Sequence, residues 1–325
     1  MHRWSVLLTL LVFMLPASAE DAAPTAQQEL SAAIDVLKTH HLNRDSVDWN
    51  SIEAQALARL KEEKAASDAY PAIRYVIAEL GVRHTFLITA DGFKAMTTGQ
   101  KVGATSPPKP NMPDARLAAS GVALIHIPWF QGDEMMDRAY VASARTALNG
   151  YEVQGICRYI IDLRGNSGGS MFPMLNGVKS LLGNTPFGYW DNGQSTAFAW
   201  EISNAPTQWQ AGQPLADYAE AVAPIRHARI AVLIDRKTSS SGEFTAIAFE
   251  GMRNVRVFGE PSGGYVTANA PFALPDGARL MVSTGWATDR SKRPYRVAVV
   301  PDEHAAPGQP TVDTAILWLK KQRCR

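Results

Sequence analysis

Between residues 26 and 80, apolar side chains recur three and four positions apart. Leu30, Ile34 and Leu37 form one stripe, and the stretch SIEAQALARLKEE, opened by Ser51 as a cap, forms another. This spacing predicts amphipathic helices and a small helical lobe that closes at Gly81, after which HTFLI reads as a short strand. Residues 97–116, TTGQKVGATSPPKPNMPDAR, lose all periodicity and gather Gly, Pro, Lys and Thr, as a linker or flexible loop does. From Leu117 the pattern changes. Apolar runs GVALIHIP, RYIIDL and RIAVLID alternate with the helical stretches MMDRAYVASARTAL, MLNGVKSLL and the segment after Ile234. Such alternation predicts βαβ units, with helices covering a sheet. Beyond Gly259, APFALPDGARLMVSTGWAT reads as a hairpin turning at Pro275-Asp276-Gly277, and DTAILWLKK as a closing helix capped by Asp313.

The predicted organisation is therefore α/β, with an N-terminal helical lobe over residues 20–96, a linker over 97–116 and an α/β core over 117–325. Residues 1–19 are set apart. The opening MHRWSVLLTLLVFMLPASAED has a basic tip, an apolar run from Val6 to Leu15, and Ala17 and Ala19 spaced for cleavage, which reads as a secretory signal. No later segment offers the ~20 uninterrupted apolar residues of a membrane span. The expected product is exported, periplasmic or extracellular, and begins near Glu20. Apolar residues make up 46% and charged residues 19%, enough for a sizeable core. A net charge of +1, with no basic stripe, argues against nucleic acid as a partner. Two cysteines, Cys157 and Cys324, rule out a disulfide framework. An exported protein could pair them, but Cys157 abuts RYIIDL and reads first as a buried thiol. Oligomeric state leaves no trace in the pattern.

Three stretches carry chemistry. In VLIDRKTSSSGEFTAIAFEGM, residues 232–252, a strand breaks into Thr238, Ser239, Ser240 and Ser241 before a helix. Helix N-termini present free N–H groups and favour negative charge, so a serine there has oxyanion donors at hand; one hydroxyl alone would serve as a plain N-cap. In RYIIDLRGNSGGSMFPML, residues 158–175, Gly165, Gly168 and Gly169 allow close backbone approach and could supply the other oxyanion donors, or merely turn the chain. In ELGVRHTFLI, His84 stands at the junction of lobe and strand, as a base or as a polar core residue. No metal-ligand spacing emerges, and no phosphate loop.

Taken in order, these stretches resemble the C-terminal processing (tail-specific) serine peptidase family, in its PDZ-less, tricorn-core-like form. LGVRHT (Leu80–Thr85) is similar to the family's L-G-D-x-H-T, and Asp162–Gly169 to D-L-R-x-N-x-G-G. Ser239–Glu243, Gly259–Gly264, Leu274–Gly277 and Ala298–Asp302 resemble its later motifs. The resemblance implies a ClpP/crotonase-like ββα core behind the helical lobe, and a serine peptidase acting on peptide or protein without a cofactor. It implies Ser240 as nucleophile and His84 as general base. Gly168, Gly169 and Ser241 would be the oxyanion donors. Tyr265 stands where the lysine-dyad branch carries its Lys, and Tyr295 where the tricorn-like branch carries the acid that orients its His; Glu243 and Asp289 are the remaining candidates for that acid.

Two other readings remain. Gly165-Asn166-Ser167-Gly168-Gly169 satisfies the G-x-S-x-G elbow of α/β-hydrolases, making Ser167 an esterase nucleophile with His227 or His304 behind it. The tyrosines at 265 and 295 also suit a peptidase-like binding protein without activity, as the fold-related interphotoreceptor retinoid-binding proteins imply.

Overall fold

The computed structural model describes residues 23–60, 65–98, 111–183, 186–193, 198–200, 223–304 and 311–324. The N-terminal signal and most of the 97–116 linker lie outside these. The chain opens with α1 (Ala26–His40), whose Thr25 and Gln28 cap one another, and α2 (Trp49–Leu57). The cap of α2 is Asp48, not Ser51. Its carboxylate accepts the free N–H groups of Asn50 and Ser51, which a more distant hydroxyl inside the helix cannot do. α3 (Tyr70–Glu79) ends at Gly81, and β1 (Phe86–Ile88) and α4 (Ala90–Thr98) follow.

The next elements build a sheet. β2 (Asp114–Ala119) begins three residues before the expected start and turns back as β3 (Val122–His126). α5 (Glu134–Val153), capped by Asp133, leads to β4 (Arg158–Asp162). The stretch MLNGVKSLL splits at Val178 into α6 (Met171–Gly177) and α7 (Lys179–Leu182). β5 (Gly188–Asp191), β6 (Phe198–Ala199), β7 (Arg229–Ile234), α8 (Ser241–Phe249) and β8 (Val255–Gly259) come next. The chain finishes with β9 (Thr267–Ala273), β10 (Arg279–Asp289), β11 (Glu303–His304) and α9 (Thr311–Lys321). Asp313 lies inside the first turn of α9 and is not its cap.

Two sheets result. One runs β11-β8-β7-β4-β3-β2, parallel from β3 to β11, with β2 antiparallel at the edge. Its central strands are covered on both faces, which is why they read as unbroken apolar runs. Alternation sorts their side chains. Ile161, Ile230 and Val232 face α5, α6 and α8, whereas Ile160, Ala231 and Leu233 face Ala315 and Leu319 of α9. The other sheet, β1-β10-β5-β6 with β9 also on β10, is antiparallel and assembled from distant segments. Leu274, Ala278, Leu280 and Val282 of its β9–β10 hairpin share a core with Leu30, Leu37, Ile73 and Val76 of the lobe. The hairpin thus packs with the lobe from which the sequence pattern separated it.

Cys157 and Cys324 form a disulfide, not free thiols. Cys157 ends beside the chain terminus because Arg158 donates to the carbonyls of Leu319 and Gln322, holding the last turn of α9 at the start of β4.

Candidate active site

The serine loop and the glycine loop leave the carboxyl ends of adjacent parallel strands, β7 and β4, where open α/β sheets place their ligands. Buried Asn166 laces them together. Its amide donates to the Ile127 carbonyl at 2.9 Å, its side-chain oxygen accepts the Gly168 N–H at 2.9 Å, and its backbone carbonyl accepts the Ser239 N–H at 2.9 Å. Thr238 adds a bond from its hydroxyl to the Leu163 carbonyl, 2.9 Å. Approach is close enough to demand glycine. A methyl group on Gly168 would lie 2.8 Å from the Ser240 Cβ, and one on Gly169 would lie 1.9 Å from the Phe130 oxygen.

Ser240 sits at the N-terminus of the fully buried α8 with φ 51° and ψ −120°. A left-handed backbone at a residue with a side chain costs about 1–3 kcal/mol and persists only where neighbours impose it. Here Glu243 imposes it. Its buried carboxylate accepts the Ser240 N–H (2.8 Å), the Gly264 N–H (2.8 Å), the Tyr265 N–H (2.8 Å) and the Ser262 hydroxyl (2.5 Å). Burial pushes this carboxyl above its usual range against the pull of those four donors. Glu243 therefore braces the Ser240 turn and makes no bond to His84, its oxygens being engaged by these four donors.

The amides around the serine divide. Gly168 N–H is donated to the Asn166 side-chain oxygen. The N–H groups of exposed Gly169 and of Ser241 engage no acceptor among the described residues. Ser241 instead uses its hydroxyl, donating to the Gly169 carbonyl at 2.6 Å and so tying the two amides' residues together.

His84 comes from the other sheet. Gly81 stops α3, a turn closed by Thr85 N–H to the Val82 carbonyl at 3.1 Å follows, and β1 then pairs with β10. The imidazole is 9% exposed, and Nδ1 lies 2.9 Å from the Thr267 carbonyl and 3.1 Å from its hydroxyl. A carbonyl only accepts, so Nδ1 carries the proton and Nε2 the lone pair. Burial lowers the imidazole to about 4, the Thr267 bond pulling the other way, so it is neutral at pH 7. Tyr265 stands edge-on to the ring with centroids 5.4 Å apart, and its backbone N–H bonds the same Glu243 carboxylate as Ser240. Tyr265 thus links the His84 ring to the turn that carries Ser240, while no hydrogen bond joins His84 Nε2 to Ser240 Oγ among the described residues.

The remaining candidates lie elsewhere. Asp289 is occupied by the 291–293 turn, accepting from Ser291 N–H at 2.8 Å, Ser291 Oγ at 2.6 Å and Arg293 N–H at 3.1 Å. Tyr295 belongs to that cluster, its hydroxyl 2.5 Å from Arg293. Neither they nor Glu243 bond His84; the partner of its ring is Thr267, a residue the sequence reading passed over. Ser167 is exposed, and no hydrogen bond joins it to a histidine among the described residues.

A nisin-resistance protein of Lactococcus lactis is 28% identical over 92% of this chain and 88% of that protein. A carboxyl-terminal-processing protease of Picosynechococcus is 27% identical over half of this chain, which spans 36% of that longer relative. A lipoprotein from Streptococcus agalactiae shares the fold with a TM-score of 0.74 over 96% of this chain and 99% of that one, at 23% identity. The photosystem II D1 C-terminal processing protease does so with 0.62 over 89% and 95%, at 14% identity. The resemblance carried by the motifs is borne out: with Peptidase family S41 matched over residues 121–305, more than half of its length, the chain belongs to that family.

Proposed function

We propose that this protein is an exported serine peptidase that cleaves peptide bonds through an acyl-enzyme. Ser240 Oγ adds to the scissile carbonyl as its proton passes to His84 Nε2. The tetrahedral oxyanion accepts from the N–H groups of Gly169 and Ser241. Collapse expels the amine, which takes the proton from the imidazolium, and water activated by His84 then releases the acyl group and restores the serine. One observation carries the reading: Ser240 is held in a costly left-handed conformation at a helix N-terminus, beside two amides that engage no acceptor among the described residues. Strain kept at one serine hydroxyl is characteristic of a functional site.

Membership of the peptidase family supports a peptide or protein substrate. Export rests on the opening segment and on the Cys157–Cys324 disulfide, which suits an oxidising compartment. No helix among the described residues is long and apolar enough to cross a membrane. A second reading, a peptide-binding protein without turnover, draws on the absence of a carboxylate at the His84 ring among the described residues. Labelling with a fluorophosphonate, followed by peptide mapping, separates them. We expect the adduct on Ser240, and no turnover by a folded Ser240→Ala variant. An adduct on Ser167 would support the esterase elbow, and no adduct the binder.

A further inference from the structure

Among the described residues no carboxylate bonds the His84 ring, yet the groups behind it form a closed circuit. Thr267 Oγ1 lies 3.0 Å from Ser283 Oγ, which lies 3.3 Å from Asn269 Oδ1, while Asn269 Nδ2 donates back to the His84 carbonyl at 2.6 Å. Thr267 and Ser283 are buried. Asn269 stands opposite Ser283 in the β9–β10 ladder, and Thr267 is two residues from Asn269, so all three side chains share one face. On the other side of β10, the β1 register sets Phe86 opposite Met281, and its continuation sets His84 opposite Ser283. Just past Ser283 the ladder slips, a bulge between Ser283 and Gly285 of the kind that re-aims side chains near active sites.

Donor counting gives the circuit a direction. The Asn269 amide donates to the His84 carbonyl, leaving its side-chain oxygen as an acceptor for the Ser283 hydroxyl. Ser283 oxygen is then free to accept from Thr267, and Thr267 oxygen to accept from His84 Nδ1–H. The circuit runs in this sense because Nδ1 also faces the Thr267 carbonyl, which can only accept, so Nδ1 carries the proton. The bonds also polarise in one sense, with each hydroxyl presenting its oxygen toward the ring, the arrangement that favours a positive charge developing there. A second set of bonds fixes the backbone beside the ring: Thr85 Oγ1 meets the Ser283 N–H at 3.1 Å and His41 Nε2 at 3.0 Å.

We propose that Thr267, backed by Ser283 and Asn269, is a positioning residue for the base: its hydroxyl and carbonyl fix the His84 tautomer and ring plane in place of an acid. The inference rests on the Ser240–His84 reading. In its consequence the site carries a neutral relay where a charged third member would stand.

The test compares Thr267→Val, which keeps shape and carbonyl but deletes the hydroxyl, with Thr267→Ser, which restores the hydroxyl and deletes the methyl. Two readouts are taken on full-length folded protein: the rate of Ser240 phosphonylation by a fluorophosphonate, and the His84 ring ¹⁵N spectrum. Loss of an orienting partner of this kind costs about 10-fold or more. Thr267→Val is expected to slow phosphonylation by about that factor, with saturation by the probe little changed, and to broaden the His84 ring signals as the imidazole loses its fixed plane, the Nδ1–H tautomer being kept by the backbone carbonyl. Thr267→Ser should stay within a few-fold of the wild type with sharp ring signals. The proposal is overturned if Thr267→Val reacts at the wild-type rate with an unchanged ring spectrum, or if Thr267→Ser is as slow as the valine variant. If wild-type Ser240 is not labelled at all, the peptidase reading fails separately, and the spectrum alone decides whether the Thr267 hydroxyl fixes the ring.

Discussion

The two halves of the site are held by different physics. Around Ser240 the chain is packed backbone against backbone: Gly169 against Phe130, Gly242 against Asn166, Gly168 against the serine itself. Around His84 it is held by side-chain hydroxyls and an amide on an antiparallel sheet. Contacts between rigid backbones allow no intermediate state, so the nucleophile half should fail abruptly when one atom is added. Hydrogen bonds are lost one at a time, at about 0.5–1.5 kcal/mol each, so the base half should weaken by degrees. The family match, residues 121–305, spans the first half and stops short of His84.

The largest effect expected is that of Gly169→Ala. Its new methyl would meet the Phe130 carbonyl oxygen at 1.9 Å on a backbone with φ 103°. Denaturant midpoints should report a loss of about 4 kcal/mol, or no folded protein. Glu243→Gln comes next. An amide donor replaces an oxygen that only accepts, so N–H groups of Ser240, Gly264 and Tyr265 compete for one acceptor, and about 3 kcal/mol should be lost together with most Ser240 labelling. Matching losses on the histidine side from removal of single hydroxyls would break the contrast.

Acid offers a third and gentler probe. His84 and His41 titrate near 6.5 when unfolded and at about 4 when folded, burial being the chief cause in both and Arg44 a further one for His41. Between these values the unfolded chain binds more protons, so stability falls as pH drops from 6.5 to 4, each group contributing on the order of 3 kcal/mol. Glu29 runs the other way. Burial, and then Asp276, raise it from 4.5 to about 7, so the folded chain holds the extra proton and stability falls as pH rises through that window. Thermal melts should therefore show a net acid loss smaller than the histidines alone would give. Glu29→Gln should steepen that loss, and His84→Ala should shrink it.

The sequence was legible where one segment carries its own pattern. β4 and β7 read as strands because both their faces are covered, and the serine and glycine turns stand out between them as small residues in an apolar context. His84 could be picked out only by its resemblance to a motif. Thr267, Ser283 and Asn269 gave no signal, because polar residues on an antiparallel strand ordinarily face water, and only the pairing of β1, β9 and β10, over 183 positions from His84 to Thr267, turns them onto a histidine. For the same reason Glu243 read as an acid in search of a base. Its four donors come from residues 240 to 265, brought around it by a loop whose path no periodicity announces. The disulfide likewise depends on α9 crossing the sheet to reach Cys157.

The central claim is that the two halves meet, with His84 drawing the proton from Ser240. Its most direct measurement is the rate of Ser240 phosphonylation in His84→Ala against the wild type, at pH 7 and with folding checked by thermal melt. The account predicts a fall of about 100-fold or more, the contribution of a positioned general base. An unchanged rate in the folded variant would contradict it.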